Sequence, residues 1–300
     1  MIDADTERDE TPDIERELEH HRLVTLLQTS ALAGDLLAQS KHKMSPMEPE
    51  RMEDDHWSFP RFGSGLATDF DAVFGGFQGL TILCGRWGAG KSMLALACAL
   101  TNAARENRDT CVVYFDAEHT AGQRKPDFVA WFGGSAQFQS KFPWISHRSF
   151  FWVRVKKGQT WEHLMDRVVQ SFMLEHERVL IVLDSVVSIC RKITVYKNSH
   201  DRFRAWENLA ERMHDLTIES QGKIACLALT ELNADGVAQG RSIMHIGDCA
   251  LAVDKAPEVG ENAVRLNLDK NRGGPARDLG VHERDWRTCT FRKWPHEDDA

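Results

Sequence analysis

The sequence predicts an α/β protein in which a mostly parallel sheet is covered by helices on both faces. First, short apolar segments alternate with segments of helical periodicity from residue 61 onward. Second, a glycine-rich turn joins the first buried strand to the first of these helices at residues 80–100. Alternation of this kind specifies parallel strands with helical crossovers, whose ligands lie at the carboxyl ends of the strands.

The elements follow one another in a regular order. Strands are predicted at 80–84, 111–116, 150–155, 179–184 and 223–229, with later strands at 248–254, 263–269 and 287–293. The intervening helices are predicted at 91–106, 125–132, 160–177 and 201–221. No internal repeat interrupts this series.

Residues 1–60 are predicted to form an acidic arm and linker outside this core. They carry a net charge of about −9 by residue count, so the rest of the chain is close to neutral. The stretch "DIERELEHHRLVTLLQTSALAGDLLAQ" predicts an amphipathic helix, either a plain appendage or a helix that docks in assembly. The main domain is predicted to span 61–296, and residues 297–300 form an acidic tail.

Composition favours a cytoplasmic protein. The 300 residues are 42% apolar and 27% charged, and the 7 cysteines include no C-x-x-C pair, which is typical of reduced thiols. The acidic start "MIDADTERDE" is unlike a signal peptide, and no apolar run has the length of a membrane span. We therefore expect no membrane partner.

The stretch "LTILCGRWGAGKSMLALACAL" contains the spacing G-x-x-x-x-G-K-S between a strand and a helix. Glycines allow successive backbone N–H groups to turn inward around an anion, and the helix N-terminus adds to the attraction. Lys91 is expected to reach the β- and γ-phosphates of ATP and Ser92 to hold Mg²⁺. The predicted nucleotide-binding residues are Gly85, Arg86, Trp87, Gly88, Ala89, Gly90, Lys91, Ser92 and Met93.

Two further strands end in acids. "RVLIVLDS" ends in Asp184, which is expected to orient Mg²⁺ together with Ser92. Ser185 follows it, where many P-loop ATPases carry a glutamate that activates water, so the base must come from elsewhere. "VVYFDAEHT" supplies Asp116 and Glu118, and Glu118 is the chosen base, although both residues also fit an ordinary polar strand end.

These two strands together resemble the RecA-type recombinases, in which the glutamate of such a D-A-E-H stretch activates water. The segments "AQGRSIMHIGDCALAV" and "VRLNLDKNRGGPARDLGVHE" resemble the RadA branch and the related replicative helicases. The resemblance covers about residues 64–284 and implies a RecA-like fold and a homo-oligomeric ring or filament. It also implies that Lys270 and Arg272 act in trans on the γ-phosphate of a neighbouring subunit.

The chain also departs from this family. The recombinases commonly carry a glutamine after the strand "IACLALTELN" that couples nucleotide state to DNA, whereas this chain has Thr230 and Glu231 as sensor residues. Neither a Cys₄ zinc module nor a helicase N-terminal domain is recognisable. The sequence is therefore that of a divergent member.

Single-stranded DNA is the expected partner. The segment "CRKITVYKNSHDRFR" combines basic residues with an aromatic, which suits a phosphate track with base stacking, and a solvated basic loop is the alternative. A second loop, "LNADGVAQGRSIMH", adds one arginine. The predicted DNA-binding residues are Arg191, Lys192, Lys197, Arg202 and Arg241.

The activity expected from these features is ATP hydrolysis coupled to single-stranded DNA in recombination, repair or replication. One alternative is a nucleotide-driven oligomeric switch of the circadian-clock ATPase type that binds no DNA. A small-molecule kinase is a second alternative, which the "KNRGGP" segment disfavours.

Overall fold

The computed structural model describes residues 79–104, 110–140, 149–165, 176, 178–194, 198–232, 241–272 and 275–294. All of them fall within Ser58–Ala300, the second of the two units into which the chain divides. The predicted arm at 1–60, its helix and the tail at 297–300 lie outside the described residues.

Within the described residues, nine strands form one sheet. In chain order they are β1 (Leu80–Gly85), β2 (Thr110–Asp116), β3 (Phe150–Arg154), β4 (Arg178–Asp184), β5 (Ile224–Glu231), β6 (Cys249–Lys255), β7 (Ala263–Asn271), β8 (Arg277–Asp285) and β9 (Thr290–Lys293). Their order across the sheet is β3-β2-β4-β5-β1-β6-β7-β8-β9. In this order across the sheet, β3, β2, β4, β5, β1 and β6 are parallel to one another, and β7, β8 and β9 pair antiparallel to their neighbours.

Helices cover both faces of this sheet. They are α1 (Lys91–Ala103), α2 (Ala121–Trp131), α3 (Trp161–Leu164), α4 (Val186–Ile193), α5 (Ser199–Glu219) and α6 (Arg241–Ile246), and residues 135–140 are also helical. Side chains of α1 and α2 pack on one face, whereas side chains of α3, α4, α5 and α6 pack on the other. The predicted α/β class with a mostly parallel sheet is confirmed.

Several predicted boundaries need correction. The second helix begins at Ala121, four residues before the predicted start, because Thr120 and Gln123 form a capping box. β8 was not predicted, since it is charged and half-exposed and contains a glycine. Helices α4 and α6 were also missed, and of the helix predicted at 160–177 only the beginning is described.

The predicted phosphate-binding and acidic residues lie at one edge of the sheet. The parallel strands β1, β2, β4 and β5 end there at Gly85, Asp116, Asp184 and Glu231. β8 is antiparallel to β7, which is antiparallel to β6, so the end of β8 also lies at this edge. The opposite edge, where β1 begins, is roughly 17 Å away along β1, at ~3.3 Å for each residue.

Candidate nucleotide-binding site

The glycine-rich loop turns directly from β1 into α1. A Cβ atom on Gly85 would lie 2.3 Å from the carbonyl oxygen of Val253, so only glycine fits there. Gly90 precedes α1 with a φ of 96°, in the left-handed region that glycine tolerates, and without a side chain it makes no cap hydrogen bond. The first N–H groups of α1 therefore point toward the edge of the sheet as donors for an anion.

Lys91 folds back across the loop. Its Nζ donates to the carbonyl oxygens of Gly85 at 2.9 Å and Arg86 at 3.0 Å. Burial lowers the pKa of Lys91, and the carboxylates of Glu231 and Asp184 oppose this shift. The ammonium group is thus held at the mouth of the loop, among acids that lie at the ends of neighbouring strands.

Ser92 contacts the predicted metal-binding acid. Its Oγ donates to Oδ1 of Asp184 at 3.1 Å. This contact spans β5, which lies in the sheet between β4, where Asp184 is, and β1, which leads into the helix of Ser92. A hydroxyl and a carboxylate oxygen are hard donors of the kind that Mg²⁺ prefers. This pair of residues therefore fits a magnesium ion that is also bound by nucleotide phosphates.

The second oxygen of Asp184 is held by two residues that the sequence did not reveal. Tyr114 donates to Oδ2 at 2.8 Å, and Nη2 of Arg124 lies 3.4 Å from the same atom. Burial raises the pKa of Asp184, whereas the positive charge of Arg124 opposes that rise. The sequence did contain a signal for Arg124, because a basic residue in the first turn of α2 follows closely after the acidic end of β2.

The structure separates the two acids at the end of β2. Asp116 is fully buried, and its Oδ1 accepts the backbone N–H groups of Glu118 and His119, each at 2.7 Å. Nε of Arg124 lies 3.7 Å from its other oxygen. Asp116 thus shapes the turn, whereas Glu118 is exposed and accepts a hydrogen bond from Oγ of Ser188. This arrangement favours Glu118 over Asp116 as the predicted base.

The strand β8 braces the glycine loop from the side. Nη1 of Arg284 donates to the carbonyl oxygen of Gly88 at 3.0 Å, and its Nε donates to that of Asn262 at 3.3 Å. The guanidinium also lies 4.7 Å from the ring centre of Trp286. Sequence reasoning missed Arg284 because β8 itself was not predicted.

The predicted sensor residues lie beside the loop. Thr230 is the register partner of Cys84, and Glu231 is the register partner of Gly85. Thr230 is fully buried, whereas Glu231 is half-buried and acts on the charge of Lys91. Both positions allow contact with the start of the loop.

Lys270 and Arg272 lie at the opposite edge of the sheet. Nζ of Lys270 donates to three carbonyl oxygens at the end of α6, those of Met244, His245 and Gly247. Arg272 follows β7, and its backbone N–H donates to the carbonyl oxygen of Asp248, beside the beginning of β1. Neither residue is placed to act on the loop of its own chain.

The Arg272 side chain belongs to a small polar cluster at this edge. Its Nη1 lies 2.9 Å from Oδ1 of Asp248 and 3.1 Å from Nε2 of His214. The other carboxylate oxygen of Asp248 accepts the backbone N–H of Leu80 at 2.9 Å. The cluster therefore ties the predicted trans-acting arginine to the first residue of β1.

The predicted DNA-binding residues differ in their exposure to solvent. Arg191 and Lys192 are exposed in the last turn of α4. Arg202 is half-buried, and its guanidinium lies 5.1 Å from the ring centre of Phe203 and 5.3 Å from that of Trp206. Lys197 lies outside the described residues, and of Arg241 only its backbone position at the start of α6 is described.

The described ranges contain no group of three or more His, Cys, Asp or Glu side chains that could hold a metal ion. In the same ranges, no helix combines the length and the apolar character that crossing a membrane requires.

Trp87 in the glycine loop is 85% exposed and stays a predicted nucleotide-binding residue.

Comparisons with known proteins give a result at the level of fold. No family model matches the sequence, and no curated protein gives a significant match. Among solved structures, a DnaB-like replicative helicase, determined together with its interactions with primase, has a TM-score of 0.65 at 12% identity, covering 94% of this chain and 77% of that chain. The ATPase domain of a second protein has a TM-score of 0.62 at 14% identity, covering 87% of this chain and 98% of that one.

A third solved structure is the KaiC-like protein PH0186 from the hyperthermophilic archaeon Pyrococcus horikoshii OT3. Its TM-score is 0.57 at 17% identity, and the match covers 78% of this chain and 99% of that one. All three likenesses have TM-scores between 0.57 and 0.65. This chain therefore has the RecA-like P-loop ATPase fold.

Proposed function

We propose that this protein binds Mg·ATP in the loop Gly85–Met93 and hydrolyses it. The observation that carries the proposal is the contact of Ser92 with Asp184 beside the folded-back Lys91. Lys91 reaches the terminal phosphates when ATP replaces its contacts with the loop carbonyls. Mg²⁺ would neutralise phosphate charge when bound, and Ser92 and Asp184 are the residues that would hold it.

Glu118 is the proposed general base. Its carboxylate is exposed at the active edge and contributes to the electrostatic environment of Lys91. The turn that presents it is fixed by the buried Asp116. Glu118 therefore accepts the proton of the attacking water, which is a contribution to the chemical step alone.

A neighbouring subunit is proposed to complete the site. Arg272 lies at the far edge of its own sheet, so its phosphate target belongs to another copy of the chain in a ring or filament. To reach that target it leaves Asp248 and His214. Arg272 then acts in trans on the γ-phosphate together with Lys270 of β7, and both stabilise transition-state charge there.

Single-stranded DNA is the proposed regulator of turnover. Arg191 and Lys192 form an exposed basic pair at the end of α4, and α4 follows directly from Asp184 through Ser185. Thr230 and Glu231 are proposed to sense the nucleotide beside the loop. The test is the ATPase rate with and without single-stranded DNA: a rise of several-fold supports coupling, and an unchanged rate with no DNA binding contradicts it.

A nucleotide-driven oligomeric switch without DNA is the second candidate. The fold likeness to a KaiC-like protein favours it. A switch of this type hydrolyses ATP with no response to DNA and changes its assembly state with nucleotide. Light scattering in ADP and in ATP separates the two candidates.

The cellular setting belongs to the same proposal. All seven cysteines lie in the described ranges as free thiols, six of them buried, which supports a reducing compartment such as the cytoplasm. Within it, a role in DNA recombination, repair or replication follows only if DNA stimulates turnover.

A further inference from the structure

The short helix α4 connects the nucleotide site to the basic surface. It begins immediately after Ser185 and ends at Ile193, with Arg191 and Lys192 in its last turn. Its other face is packed into the core through Val186, Val187, Ile189 and Cys190. One face of the helix is thus packed against the core.

Ser188 is the residue of α4 that contacts the proposed base. Its Oγ donates to Oε1 of Glu118 and accepts from Oγ of Ser185 at 3.2 Å. Ser188 is buried, so its hydroxyl has a fixed position, whereas Glu118 is exposed. An exposed carboxylate is therefore held by a donor on a packed helix.

The hydroxyl of Ser188 is not needed to begin the helix. Ser185 already caps α4, because its Oγ accepts the backbone N–H of Ser188 at 3.4 Å. The backbone of Ser188 takes part in this cap, and its side chain is free to serve Glu118. A purely structural explanation therefore accounts for Ser185 more readily than for the Ser188 hydroxyl.

The spacing along α4 places Ser188 next to the basic pair. Arg191 and Lys192 follow it by three and four residues, which puts all three on one face of the helix, about one turn or 5.4 Å apart. An anion bound by Arg191 and Lys192 is then separated from the donor to Glu118 by a single helical turn. No other strand or loop has to carry the signal.

We propose that Ser188 is a positioning residue that links the carboxylate of Glu118 to the partner-binding end of α4. Phosphate groups of a single strand bound at Arg191 and Lys192 fix α4, and Ser188 in turn fixes Glu118 for proton transfer. This inference rests on the proposed function for the roles of Glu118 and of the strand. The family's glutamine that couples nucleotide state to DNA is absent from this chain, and Ser188 is the residue proposed here for that coupling.

The experiment compares Ser188→Ala with Ser188→Thr, which keeps a hydroxyl, and with Ser185→Ala, which removes the cap. Hydrogen exchange of residues 186–193 is measured with ADP and with a non-hydrolysable ATP analogue. The wild-type protein and Ser188→Thr are expected to show a difference between the two nucleotides, and Ser188→Ala is expected to lose it. Ser185→Ala exchanges faster in both states but keeps the difference, because it weakens the helix and not the link.

Kinetics supply the second readout. Ser188→Ala is expected to lower kcat about tenfold with little change in KM and to lose the stimulation by single-stranded DNA, and Ser188→Thr is expected to restore both. Wild-type stimulation in Ser188→Ala, or equal nucleotide responses of α4 in both proteins, overturns the link.

The same experiments distinguish failure of the proposed function from failure of the link between Ser188 and Glu118. If the wild-type protein binds nucleotide but is not stimulated by DNA, the DNA assignment falls. Loss of the nucleotide response of α4 in Ser188→Ala still supports the link in that case. Absence of any nucleotide response of α4 in the wild-type protein overturns it.

Discussion

Nη1 of Arg284 donates a hydrogen bond to the carbonyl oxygen of Gly88 at 3.0 Å, across 196 positions of the chain. Arg284 is 96% buried by residue surface, and burial lowers its pKa. Its Cδ would lie 2.9 Å from a Cβ atom on Gly90, so the side chain fills the space beside the loop. The loop geometry thus depends on a strand far from it in sequence.

Arg284→Met is expected to loosen the loop while keeping the apolar stem. Loss of a buried, charged hydrogen bond costs about 2 kcal/mol. Part of that loss appears as a lower Tm, and nucleotide affinity falls several-fold. The control is Arg287→Met on the exposed turn after β8, which leaves both quantities unchanged. Equal affinity for a fluorescent ATP analogue in all three proteins would contradict this role.

Lys91→Ala is expected to abolish tight ATP binding. The ammonium group is the charge held at the mouth of the loop, and its removal deletes the contact with the terminal phosphates. Equilibrium binding of ATP measures the effect, and Lys223→Ala, at an exposed turn before β5, is the control. Wild-type binding by Lys91→Ala would show that the loop is not the phosphate site.

Replacing Arg191 and Lys192 together by alanine is expected to weaken binding to single-stranded DNA. Two fewer phosphate contacts flatten the slope of log K against log salt by about 1.4, at ~0.7 per contact. The matched control is the double alanine variant of Arg292 and Lys293, which removes the same charge from exposed positions of β9. If both variants lose the same amount of affinity for single-stranded DNA, the loss reflects general electrostatics and not a site on α4.

The sequence predicted the parts of the site that local pattern determines. Gly85, Lys91 and Ser92 follow a fixed spacing, and Asp184 ends an apolar run, so these positions could be named before the fold was known. They also meet in the structure, since parallel strands end at one edge.

Contacts between distant elements could not be predicted in this way. Arg124, Tyr114 and Arg284 reach the site from elements whose spacing to it is set only by tertiary packing. Lys270 and Arg272 show the same limit, because their hydrogen bonds to α6 and Asp248 follow from the sheet order. The family resemblance named these two as trans-acting residues, and it could not tell which groups they contact in their own chain.

Mixing Arg272→Ala with Lys91→Ala tests the proposed trans action of Arg272. Each variant lacks a different half of a shared site, so composite interfaces in a mixed assembly contain both halves. Two nearly inactive proteins should therefore recover ATPase activity on mixing, with a yield that rises with concentration. If light scattering shows co-assembly and activity stays at the level of the separate variants, the trans role of Arg272 is wrong.

The most direct test of the central claim is phosphate release by the wild-type protein and by Glu118→Gln, with ATP binding measured on the same samples. Hydrolysis should require Mg²⁺, and Glu118→Gln should bind ATP with wild-type affinity and turn it over at least about a hundredfold more slowly. Asp116→Asn serves as a comparison, because loss of the fully buried carboxylate is expected to lower stability first. Wild-type turnover in Glu118→Gln, or the absence of Mg·ATP hydrolysis by the wild-type protein, would contradict the account.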